Sequence, residues 1–341
     1  VVGSISVELC VNARALKSAS GGVRRYLEEL LPYLPSPRLL SPAQASGLLG
    51  HLWEQAALPK ACRGGLLFSP ANTGPLLYAN QVLTIHDLAP FDYPEGLNPH
   101  FARWLRFLTP RLARRVKRIL TPSCFTKHRL IEVLRLDPDR ITVTPLGVHS
   151  RFFEDAQPLP VQRRYGLPEG YLLSLGTLEP RKNLKRLLEA WKRAQEELPD
   201  VILAIAGAPG NPRVFRALAL EAPPPRTLFL GRVADKDLPG LYRGALGFLY
   251  PSLYEGFGLP PLEAMATGTP VLVGCNSAPA EVIGPGGILV DPKDPEAIAQ
   301  GIIQLVRQRS HLAALARARA QEFSWERTAR LTWSALQEAM A

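Results

Sequence analysis

Short apolar runs bounded by turn residues alternate with helix-length amphipathic stretches along the whole chain, and this alternation limits the fold more than any other feature. It is the pattern of α/β proteins built on parallel sheets. In the first half strands are expected at 4–11, 65–69, 81–86, 118–121 and 141–144, with helices near 22–34, 46–58, 98–119 and 124–135. The rhythm then repeats. Strands are expected at 171–175, 201–206, 227–230, 246–250, 270–273 and 288–290, with helices near 183–197, 212–220, 235–244, 260–267, 294–308 and 311–321. Asp294-Pro295 reads as a cap followed by proline at the first helical position. Between the two series, residues 150–170 carry no clean periodicity and contain Pro158, Pro160 and Pro168, so the hinge is placed there. The expected architecture is two Rossmann-like domains, 1–152 and 153–324, facing across a cleft. Residues 325–341 are expected as a C-terminal helix packing back on the first domain. Sheets of this kind bind ligands beyond the C-terminal ends of their strands.

Composition narrows the class. A chain of 341 residues is long enough for two domains, each with its own core. With 46% hydrophobic and 21% charged residues it is not a largely disordered polymer. No stretch reaches the roughly 18 consecutive apolar residues of a membrane-spanning helix. Glu8 near the start, and no cationic, long-apolar opening, argue against a signal peptide. Cys10, Cys62, Cys124 and Cys275 form no CxxC pair, which fits a reducing cytoplasm and offers no zinc framework. The expected location is therefore cytoplasmic. The net charge of +10 is uneven: residues 1–150 hold 18 cations against 10 acids, and residues 151–341 hold 22 against 20. The first half should meet something anionic, such as a membrane face, a nucleic acid or a phosphorylated substrate.

Four places carry chemistry. The strongest is 250–270, YPSLYEGFGLPPLEAMATGTP. A strand ends at Tyr250-Pro251, Glu255 opens the turn Gly256-Phe257-Gly258-Leu259, and Pro260-Pro261 start a helix carrying Glu263. Glycines let backbone N–H groups approach a ligand, and a helix N-terminus favours anionic oxygens. Two carboxylates eight residues apart, one in the loop and one a turn into the helix, can line one pocket and accept hydrogen bonds from a polyol such as a ribose diol. The second place is Gly176-Thr177-Leu178-Glu179-Pro180-Arg181-Lys182-Asn183, after the first strand of the second half. Adjacent Arg181 and Lys182 in a strand–loop–helix setting suit a diphosphate, whose charge they would neutralise as it leaves. An isolated pair of this kind is usually a solvated face.

The third place is Ser20-Gly21-Gly22-Val23 in the first strand-to-helix loop, where paired glycines could offer amides to the same phosphates. The fourth is Ile85-His86-Asp87 at a strand end bordering the expected cleft.

Together these sites resemble the retaining family 4 of the GT-B glycosyltransferases, with its E-x7-E motif. The resemblance runs through GGVRRY, IHDLAPFDYP, LTPSCFTK, TPLGV, GTLEPRKN, GRVADKDLPGLYRGA and YEGFGLPPLEAMATGTPV, which is essentially the whole chain. HDLAP and GTLEPRKN look most like bacterial mannosyltransferase-type members. The resemblance implies an acceptor-side first domain and a nucleotide-sugar-binding second domain. It implies that Arg181 and Lys182 hold the diphosphate beside Thr177, and that Glu263 binds the ribose. Glu255 with the backbone of Gly256, Phe257, Gly258 and Leu259 would hold the donor sugar. The loop of Gly21 and Gly22 would contact phosphate, and His86 would sit by the sugar. The implied reaction is metal-independent sugar transfer with retention, without a cofactor, the nucleotide sugar being a substrate. GDP-mannose leads as donor, with a dTDP- or UDP-linked sugar such as rhamnose second. The acceptor would be a saccharide or lipid-linked glycan of cell-surface polysaccharide synthesis. Asn12-Ala13-Arg14 departs from the family, where many relatives have an acid before Ala-Arg, and the stretch 35–65 is compact. Both leave the acceptor side less defined.

Other classes account for less. A glycoside hydrolase could use Glu255 and Glu263 as its acid pair, but would leave the Arg181-Lys182 pair and the glycine loops without a role. A non-catalytic nucleotide-sugar sensor would not need the full set of site residues. Nucleic-acid binding would explain the charge, yet stacking platforms and a reading helix are missing. One basic window stands out: from Gly96 to Ile131 there are nine cations and no acid. Pro110 is expected to divide its helix, with Arg111, Arg114, Arg115 and Arg118 sharing a face in the second part. That face would dock peripherally on anionic lipid at the inner side of the cell membrane.

Overall fold

The computed structural model describes residues 8–17, 21–43, 47–215 and 222–341. Two units separate. One comprises Val1–Phe91, Arg103–Gly147 and Ser324–Ala341; the other comprises Asp92–Ala102 and Val148–Phe323. Among the described residues each is built on a six-stranded parallel sheet, giving two Rossmann-like domains.

In the first unit the strands are β1 (Leu9–Asn12), β2 (Arg38–Leu40), β3 (Leu66–Ser69), β4 (Gln81–Thr84), β5 (Arg118–Thr121) and β6 (Ile141–Val143), in the order β2-β1-β3-β4-β5-β6. Its early helices are α1 (Gly22–Leu30), α2 (Gly47–Ala61), α3 (Ala89–Asp92), α4 (Pro99–Arg115) and α5 (Cys124–Leu134), α3 and α4 each lying partly in the other unit's segment Asp92–Ala102. The second unit has β7 (Tyr171–Leu175), β8 (Ile202–Ala206), β9 (Thr227–Gly231), β10 (Gly247–Tyr250), β11 (Val271–Gly274) and β12 (Gly287–Val290), in the order β12-β11-β10-β7-β8-β9. Around it lie α6 (Pro158–Tyr165), α7 (Leu184–Ala194), α8 (Leu238–Gly244), α9 (Leu259–Ala266), α10 (Pro279–Ile283), α11 (Pro295–Arg307) and α12 (Arg309–Ala320), and α13 (Trp325–Met340) ends the chain in the first unit.

Helix patterning explains the second core. In α7, Leu184, Leu187, Leu188, Trp191 and Ala194 recur at helical spacing and are buried against Leu203 and Ile205 of β8, Leu249 of β10 and Leu272 of β11. The Asp294 side chain caps α11, accepting the Glu296 N–H at 2.9 Å, with Pro295 at the first helical position. In the first unit α13 lies on β3, β4 and β5. Its Thr328 hydroxyl donates to the Pro145 carbonyl at 2.6 Å, and the Lys117 ammonium donates to Ala339 O at 2.6 Å.

Several expectations need correction. The stretch 150–170, where the sequence shows no clean periodicity and the hinge is expected, contains α6. Pro158 opens it and Pro160 falls within its first turn, where no intrahelical N–H is required. The short, largely exposed β2 carries no alternation and was not anticipated. Part of the strand expected at 4–11 and of the helix expected at 212–220 lies outside the described residues.

The basic face is the main revision. α4 runs through Pro110 unbroken, since Leu105, Leu108, Leu112 and Ala113 are buried on both sides of it and hold the two turns in line. The helix ends at Arg115, so Arg118 lies on β5 instead of a shared helical face. There it pairs with Glu338 of α13 at 2.7 Å and donates to the Thr142 hydroxyl at 3.1 Å. Arg111 sits 3.8 Å over the Phe107 ring, Arg114 donates to Leu134 O and Arg115 to Leu76 O. Arg111, Arg114 and Arg115 thus stay exposed together on α4, and Arg118 alone leaves the expected helical face. Among the described residues no helix is long and apolar enough to cross a membrane.

Candidate active site

The second sheet reverses its strand order between β7 and β10, and the loops that leave these two strands are tied together. After β7 a 3-10 turn, Pro180–Lys182, ends at Asn183, which adopts a left-handed φ of 62° and leads into α7. The Asn183 side-chain amide donates to Pro251 O at 2.9 Å and Pro292 O at 2.6 Å, while Leu253 N–H donates to Arg181 O at 2.8 Å. Gly207, after β8, is there because of space: a Cβ would lie 1.9 Å from Gly176 O. Gly258 enters α9 at φ 106°, a conformation that side-chain-bearing residues rarely adopt.

This scaffold brings three of the expected residues into direct contact. Glu255 accepts from Arg181 Nη1 at 2.7 Å through one oxygen and from Lys182 Nζ at 2.6 Å through the other. Arg181 is fixed further by Tyr254 O at 2.9 Å and by Glu179 at 2.8 Å, and Lys182 donates to the Tyr250 hydroxyl. The network is largely dry: side-chain exposure is 9% for Glu255, 13% for Arg181 and 17% for Lys182. Burial alone would push the Glu255 carboxyl up, but Arg181 and Lys182 outweigh it and hold it at about 2. Burial drives Glu179 the other way, above the usual carboxylate range, despite Arg181 beside it. Burial also holds Lys182 below the usual ammonium range although Glu255 favours its charge.

Glu179 and Tyr250 complete the network and were not singled out from sequence. Both lie inside the quoted motifs, but a Glu before Pro and a strand-terminal Tyr carry no pattern of their own. Thr177 lines a recess with Ser174, Gly176, Lys182, Ile205 and Tyr250. Glu263 belongs to a separate hydrogen-bond arrangement: it is buried on α9 and accepts from the Tyr242 hydroxyl at 3.2 Å. Phe257 is buried against Phe323, rings 6.0 Å apart, and Gly256 and Gly258 on either side of it are buried as well, with Leu259 half-buried.

His86, Gly21 and Gly22 are in the first unit. His86 follows β4 and is pinned by Asn72, which accepts its backbone N–H at 2.6 Å, and by Pro70 O, 2.7 Å from Nε2. A carbonyl oxygen only accepts, so Nε2 carries the proton and Nδ1 is the acceptor nitrogen. Burial lowers the His86 pKa, favouring this neutral ring. Gly21, at φ 139°, precedes α1, and a Cβ on Gly21 or Gly22 would meet nothing within 4 Å. Ser20 lies outside the described residues. Among the described residues no group of three or more His, Cys, Asp or Glu could hold a metal ion.

Residues 162–322 match the family described as "Glycosyl transferases group 1", and residues 67–152 match "Glycosyltransferase Family 4". O-antigen chain mannosyltransferase B of Escherichia coli is 36% identical over 254 residues, 72% of this chain and 67% of that protein. The chain belongs to glycosyltransferase family 4. A second relative of this glycosyltransferase is O-antigen chain mannosyltransferase RfbU of Salmonella typhimurium. It is 30% identical over 68% of this chain, and the match spans 62% of the relative. Among solved structures, Alr3699/HepE of Anabaena in complex with UDP superposes with a TM-score of 0.75 at 19% identity, covering 97% of this chain and 100% of that one. That likeness is one of fold, and the fold is GT-B.

Proposed function

We propose that this glycosyltransferase moves a mannosyl group from GDP-mannose to a hydroxyl of a saccharide acceptor, with retention at the anomeric carbon. The convergence of Arg181 and Lys182 on Glu255 at the β7/β10 reversal carries the reading. Two cations held in a dry site are worth more to a departing diphosphate than they would be in water. An incoming diphosphate competes with Glu255 for both of them. Once displaced, the Glu255 carboxylate accepts hydrogen bonds from the donor sugar's hydroxyls, with the amides of the Gly256–Leu259 turn beside it. Glu263 takes the ribose diol in exchange for its Tyr242 partner, and Thr177 lies along the phosphates. In the first unit, His86 and the Gly21-Gly22 turn are assigned to donor binding.

In the transfer the bond from the anomeric carbon to the phosphate oxygen breaks, and the acceptor oxygen bonds to that carbon on the same face. The acceptor's proton passes to the departing diphosphate, and GDP leaves. Arg181 and Lys182 supply the charge stabilisation that a metal ion provides elsewhere. The mannosyltransferase names of both relatives support the sugar and suggest an O-antigen-type saccharide as acceptor. A thermal-shift series with GDP, UDP, dTDP and ADP tests the nucleotide, because a ligand that binds only the folded state raises Tm. GDP is expected to raise it most. A larger shift with UDP or dTDP would replace the donor, and no shift with any of the four would remove the donor-site assignment.

A further inference from the structure

The first sheet also reverses its strand order, between β1 and β3, and a second buried charge cluster sits at the ends of these strands. Glu54, on α2, is fully buried. One of its oxygens accepts from the Asn12 side-chain amide, at the end of β1, at 2.8 Å and from the Thr73 hydroxyl, in the loop after β3, at 3.0 Å. The other oxygen has no hydrogen bond; Arg14 Nη2 stands 3.6 Å from it and His51 Nδ1 3.7 Å. Arg14 Nη2 donates to Thr73 at 3.1 Å, and Arg14 keeps 15% of its side chain exposed. Its Nε and Nη1 carry no recorded partner among the described residues.

An ionised carboxylate taken fully out of water costs several kcal/mol unless its partners compensate. Packing alone does not call for one at the crevice where doubly wound sheets bind ligands. Glu54 and Thr73 engage one nitrogen of the Arg14 guanidinium, Nη2, and among the described residues no hydrogen bond occupies the other two. His51 continues the cluster onto Trp104, rings 6.0 Å apart and edge-to-face, and the Trp104 indole N–H lacks a hydrogen-bond partner. Phe107, 47% exposed, stacks on Trp104. A guanidinium neutralised by its own carboxylate, next to partly exposed aromatic rings, suits neutral hydroxyls and the apolar face of a sugar better than it suits an anion.

We propose that Arg14, positioned by Glu54, is the acceptor-recognition residue of this enzyme, binding hydroxyls of a neutral saccharide whose further sugars lie along His51 and Trp104. This rests on the transferase reading above.

The test titrates an α-linked mannotriose, and separately inorganic phosphate, into the full chain saturated with GDP, by calorimetry. The wild type is expected to bind mannotriose. Arg14→Lys, which keeps the charge but loses the fork, and Glu54→Gln should each weaken that binding about tenfold or more. GDP affinity, assigned to residues other than Arg14 and Glu54, should stay within about twofold in every variant, an outcome that general structural damage would not leave. If Glu54→Gln does not fold, Arg14→Lys with its Glu54 partner intact decides alone. Unchanged mannotriose affinity in Arg14→Lys would overturn the proposal, as would a wild type that binds phosphate at Arg14 and ignores mannotriose. A wild type that binds mannotriose but not GDP would break the donor reading and leave this site standing.

Discussion

The two strand-order reversals hold the same pair of residue types in different electrostatic settings. At β7/β10, Glu255 is shared by Arg181 and Lys182 at 2.7 and 2.6 Å. A second acid, Glu179, whose carboxyl burial pushes up, pairs with Arg181 at 2.8 Å, so both cations are held by direct contacts to carboxylates. At β1/β3, Glu54 spreads its hydrogen bonds over neutral Asn12 and Thr73, and its one permanent cation, Arg14, lies 3.6 Å away. Burial raises the Glu54 carboxyl, but His51, Arg14 and Asn12 together bring it below its usual value. The contrast teaches that a buried Arg–Glu pair does not by itself name a ligand. Two adjacent cations converging on one carboxylate suit a diphosphate; a single cation beside its own carboxylate suits hydroxyls.

Removing each carboxylate is the strongest way to break this contrast. Glu255→Ala leaves two nearly dry cations without their shared partner and should lower stability by about 3–5 kcal/mol. Glu54→Ala, whose Arg14 reaches solvent, should cost less, roughly 1–3 kcal/mol. Denaturant melts of both variants check it, and equal losses would erase the distinction. Arg181→Ala and Lys182→Ala should each reduce turnover by about 10²–10³-fold with folding intact, the scale of one lost transition-state stabiliser. Near-normal steady-state turnover in either variant would sink the leaving-group role.

Smaller effects sharpen the picture inside the donor site. Glu263→Ala should weaken free-nucleotide binding by roughly 1.5–3 kcal/mol, whereas Glu255→Ala should act mainly on turnover. Equal affinity losses in a GDP titration would mean that the two carboxylates are misassigned. The low Glu255 pKa adds a pH signature. Because the folded state holds this carboxyl at about 2 and the unfolded chain near 4.5, the ion network's contribution is complete above pH 4.5 and is lost as pH falls from there toward 2. Wild-type melts across that window should steepen relative to Glu255→Gln. The smallest expected effect is none: with Arg181 and Lys182 carrying the leaving-group charge, transfer should persist in excess EDTA, and an absolute metal requirement would falsify that role.

Much of this protein was legible in the residue order. Alternating strand and helix periods foretold two parallel α/β units, because one-face burial imposes those periods on the chain itself. Arg181, Lys182 and Glu255 could be picked out because each lies in a loop between a recognisable strand and helix, with glycine or proline marking the turn. The direct contact of Glu255 with both cations was beyond sequence, since it depends on β7 and β10 being neighbours. Residue order also suggested a break at Pro110, and it placed Arg118 both at the start of the strand at 118–121 and on a helical face. Buried leucines on both sides of the proline kept α4 whole, and pairing with β4 and β6 drew Arg118 into β5. The Glu54 cluster was the least visible. Asn12 and Glu54 are 42 residues apart, and Arg14 and Thr73 are 59 apart, with no motif linking them. Periodicity acts along the chain, so the sequence alone determined the elements and the loop motifs. A buried charge takes whatever partners the strand order brings to it, so only the tertiary structure decided which carboxylate serves which cation.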